Sequence, residues 1–251
     1  MTDLELESIR ELSILLHEVL LETSRTINPG SNLMTLRNEA LSILALKCPE
    51  AELYSFDMNI NETVCHGKSA KDRVAEGDII TLDLVICRNN LFADEAWSSI
   101  CGEGSSEYKA LLQKAWEISR KAVLSVKSGE TSFTMKKEIH NALAGSGFSL
   151  IEEACGHGIG LKMHLSPDIN FSLLNKDDVS WTEGMVFTIE PVISLGGAKL
   201  LHSKEKEWIT DNREASAYFE HMVAISSTGV ECLNIPKINK LNSIDIFRQI
   251  I

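Results

Sequence analysis

Apolar residues step by three and four through Ile9, Leu12, Leu16 and Val19, the spacing of one helix face. The same spacing recurs at Leu33, Leu36, Ala40 and Leu44. That segment follows Pro29-Gly30 and must stop before Pro49, because the residue ahead of a proline is pushed out of the helical region. Tyr108, Leu111, Ala115, Ile118 and Ala122 predict a third helix. Met135, Ile139 and Leu143 predict a fourth, closed by Gly145 and Gly147. Residues 78–86 and 185–193 are instead continuous runs of β-branched and apolar side chains, the pattern of strands. Residues 208–211, 217–225 and 230–233 predict further strands. No Ser/Gly-rich linker divides the chain.

The two strong strand runs repeat each other. Glu76-Gly77-Asp78-Ile79-Ile80-Thr81-Leu82-Asp83-Leu84-Val85-Ile86 matches Glu183-Gly184-Met185-Val186-Phe187-Thr188-Ile189-Glu190-Pro191-Val192-Ile193 in register, at an offset of 107 positions. The preceding helices echo the repeat. Gly30, Thr35 and Glu39 recur 99 positions later as Gly129, Thr134 and Glu138. Two helices and a hairpin, duplicated, predict an α+β fold in which helices pack on an antiparallel sheet about a pseudo-two-fold. A single domain over 1–251 follows, with halves of about 1–100 and 101–233.

The repeat sets an acid at the same place in each half, Asp83 and Glu190, inside apolar strands. A buried carboxylate is costly unless it is paired or binds a cation. Asp94 follows a turn at Arg88-Asn89-Asn90, and a tight hairpin there would set it across from Asp83. Glu220 lies in Tyr218-Phe219-Glu220-His221-Met222, again among apolar neighbours. His157 lies in Gly156-His157-Gly158, where glycines allow a close approach of the backbone. Four convergent carboxylates repel unless cations sit between them, and two divalent cations match their charge. Oxygen ligands with one imidazole suit Mn, Fe, Co or Zn. His66 and His164, 98 positions apart, flank the two acid strands as a symmetric pair able to contact a substrate and steady an oxyanion. Cys65 beside His66 is not read as a nucleophile, since adjacent strand residues point opposite ways. His17, His140, His202 and His221 carry no assigned role, and His221 is expected on the face opposite Glu220.

Composition narrows the function. The 251 residues are 44% hydrophobic and 24% charged, which excludes intrinsic disorder. The net charge of −12 argues against phosphate-backbone binding as the main task, so no nucleic acid is expected as primary ligand. No apolar run is long enough to span a membrane. The acidic start, Met1-Thr2-Asp3-Leu4-Glu5, lacks the basic opening of a targeting peptide, and a cytoplasmic location is expected. Six cysteines without a C-x-x-C pair read as reduced, mostly buried thiols.

From about Glu7 to Leu233 the chain resembles the methionine aminopeptidase family, with its pita-bread fold. The resemblance rests on Asn61-Glu62-Thr63-Val64-Cys65-His66-Gly67, residues 76–83, Cys155-Gly156-His157-Gly158-Ile159-Gly160, residues 184–191 and Phe219-Glu220-His221, in that order. It implies a dinuclear metallo-aminopeptidase that removes the initiator methionine, with nascent polypeptide N-termini at the ribosome as partners. It implies that Asp83, Asp94, His157, Glu190 and Glu220 are the metal ligands. Asp94 and Glu220 would bridge both metals, Asp83 would hold the first, and His157 with Glu190 the second. Glu190 would also take up the proton of the attacking water. His66 and His164 match substrate-contacting histidines, and Trp208 matches a pocket residue. Only 26 positions separate His164 from Glu190, which leaves no space for the helical insertion of type II members and makes type I the better match. Prolidase and aminopeptidase P share the ligand set, but they carry a large N-terminal domain and usually a glycine where this chain has Val192. The segment before Asn61 is shorter than in most type I members, and Tyr54 and Phe56 are its candidate pocket substitutes. Glu95-Ala96, Leu165-Ser166, Tyr218 and Met163 also depart from the family pattern. The competing readings are an aminopeptidase of other N-terminal specificity and a non-catalytic binding protein of the same fold.

Overall fold

All four periodic segments are helices in the computed structural model, which describes residues 2–67, 73–197, 199–204 and 206–240. They are α1 (Asp3–Ser24), α2 (Leu33–Lys47), α3 (Ser106–Ser125) and α4 (Ser132–Leu143). Each opens on an oxygen-bearing cap, Thr2, Asn32, Ser105 or Thr131, whose side chain accepts from a first-turn N–H. The predicted stripe of α1, Ile9, Leu12, Leu16 and Val19, is fully buried.

The first acid strand is β3 (Ile79–Arg88). It turns at Asn89-Asn90, both at positive φ (53° and 62°), and returns as β4 (Leu91–Ile100). Positive φ at both central residues is what a two-residue hairpin loop requires, and asparagine tolerates it. β1 (Glu52–Ile60) completes the antiparallel sheet β1-β3-β4. No strand was expected at 52–60. Its signal is short: Phe56, Met58 and Ile60 alternate with Asp57 and Asn59, but a register shift between Leu53 and Ser55 breaks the period upstream.

In the second half, β14 (Gly229–Cys232), β13 (His221–Ser226), β8 (Val186–Ile189), β6 (Cys155–Gly158) and β7 (Leu165–Asn170) form one sheet in that order. Two small sheets complete the architecture. One is β12 (Ser216–Ala217), β9 (Ile193–Leu195) and β5 (Phe148–Leu150). The other is β10 (Leu200–His202), β11 (Trp208–Thr210) and β2 (Thr63–Cys65).

Two strands predicted as continuous are therefore broken. Residues 185–193 split into β8 and β9 at Glu190-Pro191-Val192, where Pro191 has no N–H for a ladder. Residues 217–225 split into β12 and β13 at Tyr218-Phe219-Glu220. At each break the chain leaves one sheet for another, and at each stands one of the predicted acids. The second break crosses β4 from the first half: Glu220 N–H donates to the Ala96 carbonyl at 3.0 Å, and Trp97 bridges Phe219.

The repeat is visible in backbone geometry. Gly30 (φ +88°) donates to the Val74 carbonyl at 2.7 Å, and Gly129 (φ +84°) donates to the Trp181 carbonyl at 2.9 Å. Gly77 (φ +84°) and Gly184 (φ +88°) donate likewise to Cys101 and Ile225. The halves meet over a buried aromatic cluster, Trp97, Trp116 and Phe219, with ring centroids 5.0–5.7 Å apart. Among the described residues, no helix is long and apolar enough to cross a membrane.

Candidate metal centre

The hairpin register sets the first two acids. Asp83 pairs with Ala96, and Asp94 pairs with Val85. Asp94 is thus not across from Asp83, as the sequence implied, but two positions nearer the turn on β4. The reason is the turn: it is centred between Asn89 and Asn90, one residue beyond Arg88-Asn89. A two-residue displacement keeps the same face, so Asp94 remains a diagonal neighbour of Asp83.

His157 sits on β6 with almost no room around it. A Cβ at Gly156 would run into the Thr188 carbonyl, and one at Gly158 would lie 2.8 Å from the Leu165 and Ser166 carbonyl oxygens. The glycines therefore hold His157 closely between β8 and β7. Its N–H donates to Thr188 Oγ1 at 3.0 Å, and that hydroxyl donates to Glu190 Oε1 at 2.8 Å. The Nδ1 atom lies 3.0 Å from the Gly158 carbonyl, which can only accept, so Nδ1 carries the proton. Nε2 is left with its lone pair 3.7 Å from Asp94 Oδ2 and 3.9 Å from Glu190 Oε1. Ligand atoms of Asp94, His157 and Glu220, all buried, lie within 4.8 Å of one another.

The charge of this cluster is uncompensated by protein groups. Among the described residues, no lysine or arginine pairs with Asp83, Asp94, Glu190 or Glu220. Asp94 Oδ1 is buried without a hydrogen bond. Burial first, then the Asp57 carboxylate, pushes Asp83 up to about 7. Burial pushes Glu190 up to about 8. Burial and the neighbouring acids hold Asp94 and Glu220 well above the usual carboxylate range. Burial also lowers His157. The donor set of hard carboxylate oxygens, one free imidazole nitrogen and an orphaned buried oxygen fits divalent cations. Cys65 does not compete as a thiolate, because burial and the nearby Asp83 raise its thiol pKa.

The remaining predicted residues surround this cluster. His164 is exposed, and its ring lies edge-on to His157 at 4.2 Å. His66, also exposed, is held by Asp57 at the end of β2. Trp208 lines a cavity of about 330 Å³ with Val64, Val192, Leu200 and Tyr218, and Asp83 and Glu190 open into it. Tyr54 and Phe56 do not serve as pocket substitutes. Tyr54 packs edge-on against Phe92 at 5.0 Å on an exposed face, and Phe56 is in the core. Phe56 alternates with Asp57 and so faces away from it, and neither Tyr54 nor Phe56 lines the cavity that holds Trp208.

Four features escaped the sequence reading. Asp57 and Asn59 on β1 face the site, and the Tyr218 hydroxyl donates to Asp83 Oδ2 at 2.8 Å while accepting from Asn59 Nδ2 at 3.3 Å. His17, given no role, pairs with the fully buried Glu95 at 2.6 Å behind Asp94. Burial lowers the His17 pKa, but Glu95 outweighs it and the net shift is upward. His221 is on the face opposite Glu220, as expected, and burial lowers it to about 3. Of the six free thiols only Cys48, Cys101 and Cys232 are buried, so the expectation of mostly buried cysteines holds for half of them.

Comparison with known proteins agrees with this geometry. The model of metallopeptidase family M24 matches residues 7–227. The methionine aminopeptidase of Buchnera aphidicola subsp. Acyrthosiphon pisum is 32% identical over 185 residues, covering 73% of this chain and 70% of that protein. The methionine aminopeptidase of Aquifex aeolicus is 29% identical over 243 residues, covering 90% and 94%. The crystal structure of methionine aminopeptidase from Thermotoga maritima superposes with a TM-score of 0.86 at 27% identity, covering 93% of this chain and 98% of that one. Prolidase from Pyrococcus furiosus, at 20% identity and a TM-score of 0.76, shares the fold alone, which is the pita-bread arrangement. With its duplicated helix-and-hairpin halves and the buried acids between them, the chain belongs to metallopeptidase family M24.

Proposed function

We propose that this chain is a methionine aminopeptidase that hydrolyses the first peptide bond of nascent proteins and releases the initiator methionine. The observation that carries this reading is a group of four mutually repelling carboxylates, Asp94 and Glu220 buried and Asp83 and Glu190 half-buried, with one free imidazole nitrogen, opening beside an apolar cavity. Two divalent cations, drawn from Mn, Co, Fe or Zn, would be held there. Asp94 and Glu220 would share both, Asp83 would hold the first, and His157 with Glu190 the second. When bound, such cations supply Lewis acidity, lowering the pKa of water and polarising a carbonyl.

The chain's own residues do the rest. Glu190 receives the proton of the attacking water. Its Oε1 accepts from the Thr188 hydroxyl, which orients the carboxyl for that transfer. His164, over the cluster, donates to the carbonyl oxygen as negative charge develops there. His66 contacts the scissile amide nitrogen and assists the leaving amine. The cavity walls, Trp208, Val64, Val192 and Leu200, take the methionine side chain out of water. The chain acts as one catalytic domain over 1–251, with halves of about 1–100 and 101–233. Its partners are nascent N-termini at the ribosome, in the cytoplasm, with neither nucleic acid nor membrane as a primary ligand.

The test is hydrolysis of Met-Ala-Ser beside Leu-Ala-Ser and Pro-Ala-Ser, before and after chelation and re-addition of each metal. Activity on the methionyl peptide, abolished by chelation and restored by a divalent cation, is expected. Full activity after exhaustive chelation, or a preference for the prolyl peptide, refutes the reading.

A further inference from the structure

We propose that Asp57 is the positioning residue for His66, through a carboxylate that anchors the backbone and the imidazole of that histidine together. This rests on the reading of His66 as a substrate contact. His66 occupies the left-handed region (φ +56°), which few residues other than glycine adopt. What holds it there comes from β1. Asp57 Oδ2 accepts from the His66 N–H at 3.2 Å and lies 3.2 Å from Nδ1 of the same ring. Two residues on, Asn59 Oδ1 accepts from the Gly67 N–H at 2.9 Å. A Cβ at Gly67 would lie 2.6 Å from both Asn59 Oδ1 and the Met58 carbonyl oxygen, so the turn is pressed against the strand. Asp57 also pairs across β1–β3 with Asp83, which puts it on the site face of the sheet.

The chemistry follows from donor counting. An ionised carboxylate only accepts, so the contact assigns the proton to Nδ1 and leaves Nε2 to face the substrate. The side chain is otherwise 62% exposed, and among the described residues the ring has no other hydrogen-bond partner. Without Asp57, the ring orientation and the tautomer lose the one constraint that the described residues supply.

Four holoenzyme variants test this: Asp57→Ala, Asp57→Asn, His66→Ala and the double alanine variant. Steady-state kinetics on Met-Ala-Ser and metal content per chain are measured for each, and the ¹⁵N shifts of the His66 imidazole are read on zinc-loaded parent, Asp57→Ala and Asp57→Asn protein. Asp57→Ala should lower kcat by roughly 10- to 100-fold, the usual cost of losing a partner that orients a histidine, with a smaller change in KM. Its metal content should match the parent, and the His66 shifts should move from the Nδ1-protonated pattern to a mixture. Asp57→Asn keeps an oxygen that can accept from Nδ1–H, so it should recover most of the turnover and the tautomer. In the His66→Ala background, Asp57→Ala should add little, because both changes act through one ring. Unchanged imidazole shifts in Asp57→Ala, multiplicative losses in the double variant, or loss of a metal equivalent would each overturn the proposal. Full turnover in His66→Ala would instead overturn the reading of His66 as a substrate contact, while the imidazole shifts would still decide what Asp57 does.

Discussion

Removing one oxygen, by Tyr218→Phe, tests how the protein holds Asp83, the proposed ligand of the first metal. The Tyr218 hydroxyl donates to Asp83 Oδ2 at 2.8 Å and accepts from Asn59 Nδ2 at 3.3 Å, so it links β1 to the acid on β3. The phenyl ring remains, and with it the wall of the cavity. A hydrogen bond to a charged group contributes about 1.5–3 kcal/mol. At about 1.36 kcal/mol per tenfold, its loss should raise the proton affinity of Asp83 by roughly 10- to 100-fold, and near neutrality that proton competes with the cation and weakens its binding by up to the same factor. The direction has a second check in pH. Burial and Asp57 push Asp83 up to about 7, and the Tyr218 donor holds it down from there. Without the donor the carboxyl keeps its proton to higher pH, so the weakening should be greatest near neutrality and shrink in alkaline solution, where Asp83 is ionised in both proteins. Competitive titration against a fluorescent chelator, from pH 6.5 to 9, measures both effects. A dissociation constant within twofold of the parent across that range would refute the idea that this hydroxyl positions Asp83.

Three further outcomes follow from the site. In metal-free protein, Asp83 and Glu190 have folded pKa values raised to about 7 and about 8, so they favour the folded state most at low pH and that contribution is lost as pH rises through 7–8. The Tm of chelated protein should therefore fall from pH 5 to pH 9, and a divalent cation should restore it at the upper end; a chelated Tm that rises over this range would contradict the uncompensated cluster. Gly156→Ala drives a Cβ into the Thr188 carbonyl, an overpacking worth about 1–3 kcal/mol, and should displace His157; lower Tm together with lost metal is expected, and parent-like values of both would refute the cradle. His164→Ala should lower kcat by roughly 10²–10³, the cost of one oxyanion donor, with metal content unchanged; loss of a metal equivalent would make His164 a ligand.

The helices and the first acid hairpin were legible because their information is local. Period 3.6 with a cap before it specifies α1 to α4, and an aliphatic run closed by Asn89-Asn90 specifies the β3–β4 ribbon. The 107-position repeat told that Asp83 and Glu190 are equivalent, because two copies of one unit pack by the same rules. The tertiary structure decided where strands end. Residues 185–193 and 217–225 read as unbroken apolar runs, yet each changes sheets at its acid, because packing the two halves together sends the chain from one sheet to the next there. The turn register that moved Asp94 two positions from Asp83 was likewise set by which residues could take positive φ. The polar face of β1 was the hardest to read. Asp57, Asn59 and Tyr218 look like scattered surface residues in the sequence, and only side-by-side strands bring them to His66 and Asp83. Local pattern reports what each segment buries; which polar groups meet across segments depends on pairings between residues as far apart as Asn59 and Tyr218, and no local spacing encodes that.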